Sequence, residues 1–224
     1  MLLRPGMRRA SYLYLVVGLM QACYLPFTSI IFRERGVSLE AIGLIGAVNS
    51  LVALAAGPIW GHLGDAVLGR TRAFRLSLAA SATGVALFAG GAFAGIPGAT
   101  LSAFAGAGIV PLLDSIGMER LAEVGGQWGP LRAVTSASYA AMCIGSGALV
   151  ALHGAVAVGP LYALGAIAVV GGTIGLRTRP PMPRTARGAA ELEAERSELA
   201  GGNAEIAVAG DWRDRFGTMS AAFR

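Results

Sequence analysis

Four stretches of the chain, residues 10–32, 41–64, 76–113 and 133–176, contain no Asp, Glu, Lys or Arg. An α-helix rises about 1.5 Å per residue and needs about 20 residues to cross an apolar layer about 30 Å thick, so each stretch is long enough to span. The first two hold one span each. The third and fourth are too long for one, and each contains Gly and Pro turn signals, at Gly95-Ile96-Pro97-Gly98 and across residues 153–160. The pattern predicts six transmembrane helices, at about residues 11–32, 40–63, 75–94, 98–119, 133–153 and 157–176, in an all-α membrane protein.

Composition agrees with this pattern, since 54% of residues are hydrophobic, 14% are charged, and the mean hydropathy is +0.62. Charge adds orientation. The net charge of +5 comes from Arg alone. Arg4, Arg8 and Arg9 precede the first span, Arg70, Arg72 and Arg75 separate the second and third, and Arg177, Arg179, Arg184 and Arg187 follow the sixth. The opposite loops hold Arg33, Glu34 and Arg35, then no charge, then only His153. Positive loops stay in the cytoplasm, so both termini are expected there, with the bundle in a bacterial inner membrane. Arginines placed at the ends of apolar runs are a topology signal and not a nucleic-acid footprint.

The triplet of spans one to three then begins inside and the triplet of spans four to six begins outside, the arrangement of a 3+3 inverted repeat. Cys23 and Cys143 fall within apolar runs and read as packing residues. The basic start imitates a signal peptide, but its apolar run is too long and lacks an A-x-A site. Residues 177–224 turn to Arg, Pro and Glu and read as a cytoplasmic linker and tail. The spans show no intramembrane Ser/His or His/Glu pair, nucleotide loop or metal cluster, so neither an enzyme nor a cofactor is expected.

Asp114 is the only acid between residues 76 and 118, about 8 Å inside the predicted cytoplasmic end of span four. A carboxylate there needs a partner or a proton. Arg132 opens span five on the same side after a connection containing Gly125-Gly126, so antiparallel packing is able to pair the two. The pair reads as a substrate anchor or proton-coupled switch, or as a structural ion pair. Span one carries Tyr14, Gln21, Tyr24 and Thr28 as a polar stripe, and span two adds Asn49 and Trp60 beside a row of small residues. Gln21, Tyr24 and Asn49 are candidates to line a cavity, against the alternative of plain helix packing.

The loop after span two runs Gly61-His62-Leu63-Gly64-Asp65-Ala66-Val67-Leu68-Gly69-Arg70-Thr71-Arg72. It resembles the signature loop of the major facilitator superfamily. In that family the Asp and arginines link helices across the bundle and help hold one alternating-access state. The resemblance gives this role to Gly61, Asp65, Gly69, Arg70 and Arg72. Ala66 stands where a base usually follows the Asp, and one extra residue separates Asp65 from Gly69. An ordinary orienting loop is the plain alternative.

Tyr24-Leu25-Pro26-Phe27, Phe32-Arg33-Glu34-Arg35-Gly36-Val37-Ser38 and Ile42-Gly43-Leu44 are similar to the start of a phenylpropionate-permease-like facilitator, a branch related to lactose and nucleoside proton symporters. Pro111-Leu112-Leu113-Asp114 and Gly129-Pro130-Leu131-Arg132-Ala133-Val134-Thr135-Ser136 resemble its PLLD and YGRxRxxGS segments, with Trp128 replacing Tyr and Thr135 replacing Gly. The resemblance covers about residues 11–176. It implies the N-terminal half of a twelve-span secondary transporter, moving an aromatic acid, sugar or nucleoside with a proton. Its partners are then the lipid bilayer, that small organic solute, and a second six-helix half on the same or another chain. A non-transporting membrane scaffold is the alternative from another class.

Overall fold

The computed structural model describes residues 7–124 and 127–176. The expected linker and tail, with Arg177, Arg179, Arg184 and Arg187, lie outside the described residues, as do Arg4 and Gly125-Gly126. The described residues form helices and no strand. The first segment comprises α1 (Arg8–Ala22), a 3₁₀ turn (Leu25–Phe27) and α2 (Thr28–Glu34), followed by α3 (Leu39–His62) with a π turn (Leu63–Val67) at its end. Then come α4 (Arg70–Ala89), α5 (Ala92–Val124), α6 (Trp128–His153), a 3₁₀ turn (Gly154–Ala157) and α7 (Val158–Gly172).

Local chemistry sets these breaks. Pro26 lacks an N–H and interrupts the helical ladder between α1 and α2. Gly36, with φ +79°, supplies the left-handed conformation just beyond α2. Ser38 caps α3, its hydroxyl accepting from the Ala41 N–H at 3.3 Å.

Several expected boundaries are corrected. The turn after the third segment lies at Gly90 and Gly91, where Gly91 has φ +138°, and not at residues 95–98. Pro97 and Gly98 sit inside α5. Turn chemistry was the wrong reading of Gly98, because its missing side chain serves helix packing. A Cβ on Gly98 would lie 2.7 Å from the Gly84 carbonyl, and one on Gly84 would lie 2.6 Å from the Ser102 nitrogen. The backbones of α4 and α5 therefore touch, as small residues permit. The long connection expected before span five is also replaced by helix: α5 runs on to Val124 and α6 begins at Trp128. Span one is bent, not continuous, and α7 ends at Gly172, short of residue 176.

The packing has a regular plan. α1 packs along α6 and α7, α5 packs along α3 and α4, and α4 meets α7. Taking α1 with α2 as one segment, exchange of segments one with four, two with five and three with six maps this neighbour list onto itself. Tyr14, Phe74, Phe88, Leu13, Met20 and Leu131 fill the interior. Two arginines fasten helix ends. Arg35 donates to the Phe88 and Ala89 carbonyls at the end of α4, and its guanidinium lies 5.1 Å from the Phe88 ring centre. Arg75 donates to the Thr173 hydroxyl at 2.7 Å and carbonyl at 2.9 Å, just past α7. Both cations meet the partly negative C-terminal ends of helices.

Arg8–Glu34, Leu39–Val67, Ala94–Val124 and Trp128–His153 are long and apolar enough to cross a membrane, and Val158–Gly172 is a shorter apolar helix. Large apolar side chains face outward: Leu54 is 75% exposed, Ile144 80% and Ile167 68%. Such a surface requires lipid or another apolar partner.

Candidate functional site

The expected site residues fall into three places. Gln21 from the end of α1, Tyr24 from the turn just beyond it, Asn49 from α3, Ser102, Ala103 and Gly106 from α5, Ser81 from α4 and Tyr162 from α7 line a cavity of about 330 Å³. The break at Pro26 shapes its floor, since Leu25 and Thr28 join the lining where the helix is interrupted. Asn49 is ten residues into α3 and Ser102 ten into α5, so the cavity lies about 15 Å along both helices.

Its polar lining is ordered. The Tyr162 and Ser81 hydroxyls are 2.8 Å apart, and the Thr100 hydroxyl donates to the Asn49 side-chain Oδ1 at 3.0 Å. Tyr24 meets Tyr162 and Phe88 edge to face, with ring centres 5.8 and 5.4 Å apart. The polar side chains named as lining the cavity can donate or accept hydrogen bonds, and none of the lining side chains carries a charge. Ser81, Ser102 and Tyr162 escaped the sequence reading, because a lone hydroxyl in an apolar run looks the same whether it packs or lines a space.

The second place joins Asp114 and Arg132. The Arg132 Nη1 lies 3.4 Å from Asp114 Oδ2, while the Tyr14 hydroxyl donates to Oδ1 at 2.9 Å. α5, α6 and α1 thus meet at one carboxylate. Tyr14 is fully buried, and its backbone carbonyl accepts from the Thr135 hydroxyl at 3.0 Å. A Cβ on Gly117 would lie 2.5 Å from the Tyr14 hydroxyl oxygen, so glycine there makes room for it. The Arg132 guanidinium also lies 5.7 Å from the Trp128 ring centre. Because α5 extends to Val124, Asp114 is ten residues from its end, about 15 Å and not the expected 8 Å. Arg132 likewise lies inside α6 instead of opening it. Tyr14 and Gln21 are seven residues apart on α1, so this centre is about 10 Å from the cavity residues along that helix. The structure does not place Asp114 or Arg132 in the cavity lining.

The third place is the Asp65 to Arg72 region. Asp65 belongs to the π turn extending α3, a departure from the loop expected there; such turns recur at functional positions. Arg70 Nε is 3.1 Å from Asp65, and Arg70 Nη1 is 3.6 Å from Glu119 of α5. Gly69, at φ +81°, provides the conformation that lets α4 begin immediately afterwards. Arg72 is exposed and takes no part in this cluster, and Gly61 faces open space. Glu119, whose side chain is 8% exposed, was missed: it stood at the expected end of span four, where a charge reads as a solvated helix terminus.

The long apolar helices mark a multi-pass membrane protein. The family model of the MFS_1 like family matches residues 7–179, and the chain belongs to that family, within the major facilitator superfamily. No curated protein and no solved structure matches the chain.

Proposed function

We propose that the chain is one six-helix half of a secondary active transporter that carries a small organic solute together with a proton. The observation that carries this reading is the cavity of about 330 Å³, lined by Gln21 of α1, Tyr24 of the turn that follows and Asn49 of α3. A depth of about 15 Å along α3 and α5 is half of an apolar layer about 30 Å thick, the level at which alternating-access carriers bind solute. α4 and α7 complete six spans with the four longer apolar helices, with both termini in the cytoplasm of a bacterial inner membrane. The self-matching neighbour pattern fits two inverted triplets.

Asp114 is the proton-responsive group, paired with Arg132, and the Asp65, Arg70 and Glu119 cluster ties α3, α4 and α5 in one access state. A second six-helix half, on the same polypeptide or another, covers the weakly buried faces of α3 and α6 and closes the cavity. The resemblance to the phenylpropionate-permease-like branch supports an aromatic acid, sugar or nucleoside as cargo.

Solute-driven proton movement tests this directly. In vesicles bearing the protein and its second half, addition of a transported solute is expected to change external pH, and a protonophore to abolish the change. Candidates from all three solute classes that bind without moving protons would refute symport.

Topology has its own test. Single cysteines at Glu34 and His153 are expected to react with an impermeant thiol reagent from outside the cell, and cysteines at Arg72 and Glu123 only after permeabilisation. All four positions are exposed in the fold. The reverse pattern would overturn the orientation.

A further inference from the structure

Asp114 is held by two donors of different chemistry. Oδ1 accepts from the Tyr14 hydroxyl, which is fully buried, and Oδ2 faces Arg132, whose side chain is 41% exposed. A hydroxyl donates and accepts, whereas a guanidinium only donates. The two partners therefore respond differently when the carboxylate loses its charge.

We propose that Tyr14 makes release at this centre one-sided: neutral Asp114 lets go of Arg132 and the α5–α6 seam while Tyr14 keeps α1 joined to α5. The inference rests on the reading of Asp114 as the proton-responsive group. A proton arriving from water binds Oδ1, and the new O–H donates to the Tyr14 oxygen. The hydroxyl hydrogen of Tyr14 then turns to the Leu113 carbonyl, 3.5 Å away. Both hydrogen bonds stay inside the fold.

Arg132, in contrast, loses its counter-charge and has water and the Trp128 ring as alternatives. α5 and α6 otherwise touch sparsely, whereas α6 packs closely along α1, so the ion pair is the principal tie between α5 and α6 among the described residues. Gly117 belongs to the same device, because a side chain there would displace the Tyr14 hydroxyl.

The charged groups on neighbouring elements are engaged elsewhere. Arg70 of α4 binds Asp65 and Glu119, and Arg75 binds Thr173. Arg72 is exposed, as are Arg8 and Arg9 at the start of α1. On α5 the residues one turn from Asp114 are Val110, Pro111, Gly117 and Met118, none of which titrates. Tyr14 and Arg132 are thus the groups facing Asp114 from the helices packed around it.

Spin-label distances in the full chain, reconstituted in lipid nanodiscs, test this. Labels at Met118 and Ser136 report the α5–α6 seam, and labels at Met118 and Leu15 report α1–α5, in a Cys23→Ala/Cys143→Ala background. All three labelled positions are exposed. Asp114→Asn, and acidification with Asp114 intact, are each expected to add a longer population to the α5–α6 distance and leave α1–α5 unchanged. Adding Tyr14→Phe to either condition is expected to lengthen both.

If α1–α5 lengthens with Asp114→Asn alone, or if Tyr14→Phe adds nothing, the one-sided release is wrong. The acid arm decides the matter if a variant fails to fold. Proton-coupled uptake, measured separately, keeps the two readings apart. Loss of uptake with the wrong distance pattern sinks only the Tyr14 device, and normal uptake by Asp114→Asn with the expected distances sinks only the coupling role.

Discussion

Asp114→Asn is expected to abolish proton-driven solute accumulation while leaving membrane insertion intact. The amide keeps the size of the carboxyl group and can still accept from Tyr14, 2.9 Å away, but cannot take up a proton or neutralise Arg132. Arg132 is 41% exposed and can turn to water, so this variant should lose little stability. Arg132→Gln is the harsher change for folding, because it strands a carboxylate that is 24% exposed with one neutral donor. Breaking a fully buried pair costs about 3–5 kcal/mol; partial exposure here reduces the expected loss to about 1–3 kcal/mol. The double variant Asp114→Asn/Arg132→Gln should recover most of that loss, since neither charge is then left alone. Thermal unfolding in detergent gives the stability order, and uptake gives the coupling. A double variant that unfolds earlier than Arg132→Gln would contradict the ion-pair account.

Gly98→Leu is expected to have the largest structural effect. Its Cβ would sit 2.7 Å from the Gly84 carbonyl, and the obstruction is backbone that cannot rotate away. Inserting bulk into a packed core costs about 1–3 kcal/mol when side chains can adjust, and more where helices must separate. α4 and α5 should part, and folded protein should not be recovered. Gly61→Leu is the control, because a side chain there meets open space. Equal recovery of the two variants would mean that α4 and α5 do not cross at Gly84 and Gly98.

The apolar helices and the pairing of Asp114 with Arg132 were readable because they rest on long apolar runs and on isolated charges within them. Both signals are local in sequence. The breaks were less readable. Gly95, Pro97 and Gly98 carry the chemistry of a turn, yet α5 accommodates Pro97, and Gly98 is small because α4 lies against it. A helix contact and a turn select the same residue, and only the partner helix distinguishes them. Tyr14 was visible as part of a polar stripe, but its bond to Asp114 joins positions 100 residues apart. Glu119 was hidden by the same kind of distance, since its partner Arg70 belongs to another helix. Gln21, Tyr24 and Asn49 were picked as polar groups in apolar runs, and they line the same cavity.

A solute carried through this cavity is blocked when the cavity is filled. Ala103 lies in the lining, so Ala103→Trp places an indole in the space without changing any charge. Vesicles containing the second six-helix half and the unaltered chain should accumulate solute under an imposed proton gradient. Those with Ala103→Trp should insert and fold normally but show only the uptake of empty vesicles. Normal saturable accumulation by a folded Ala103→Trp protein would contradict the account, because the solute would then pass somewhere other than between Gln21, Tyr24 and Asn49.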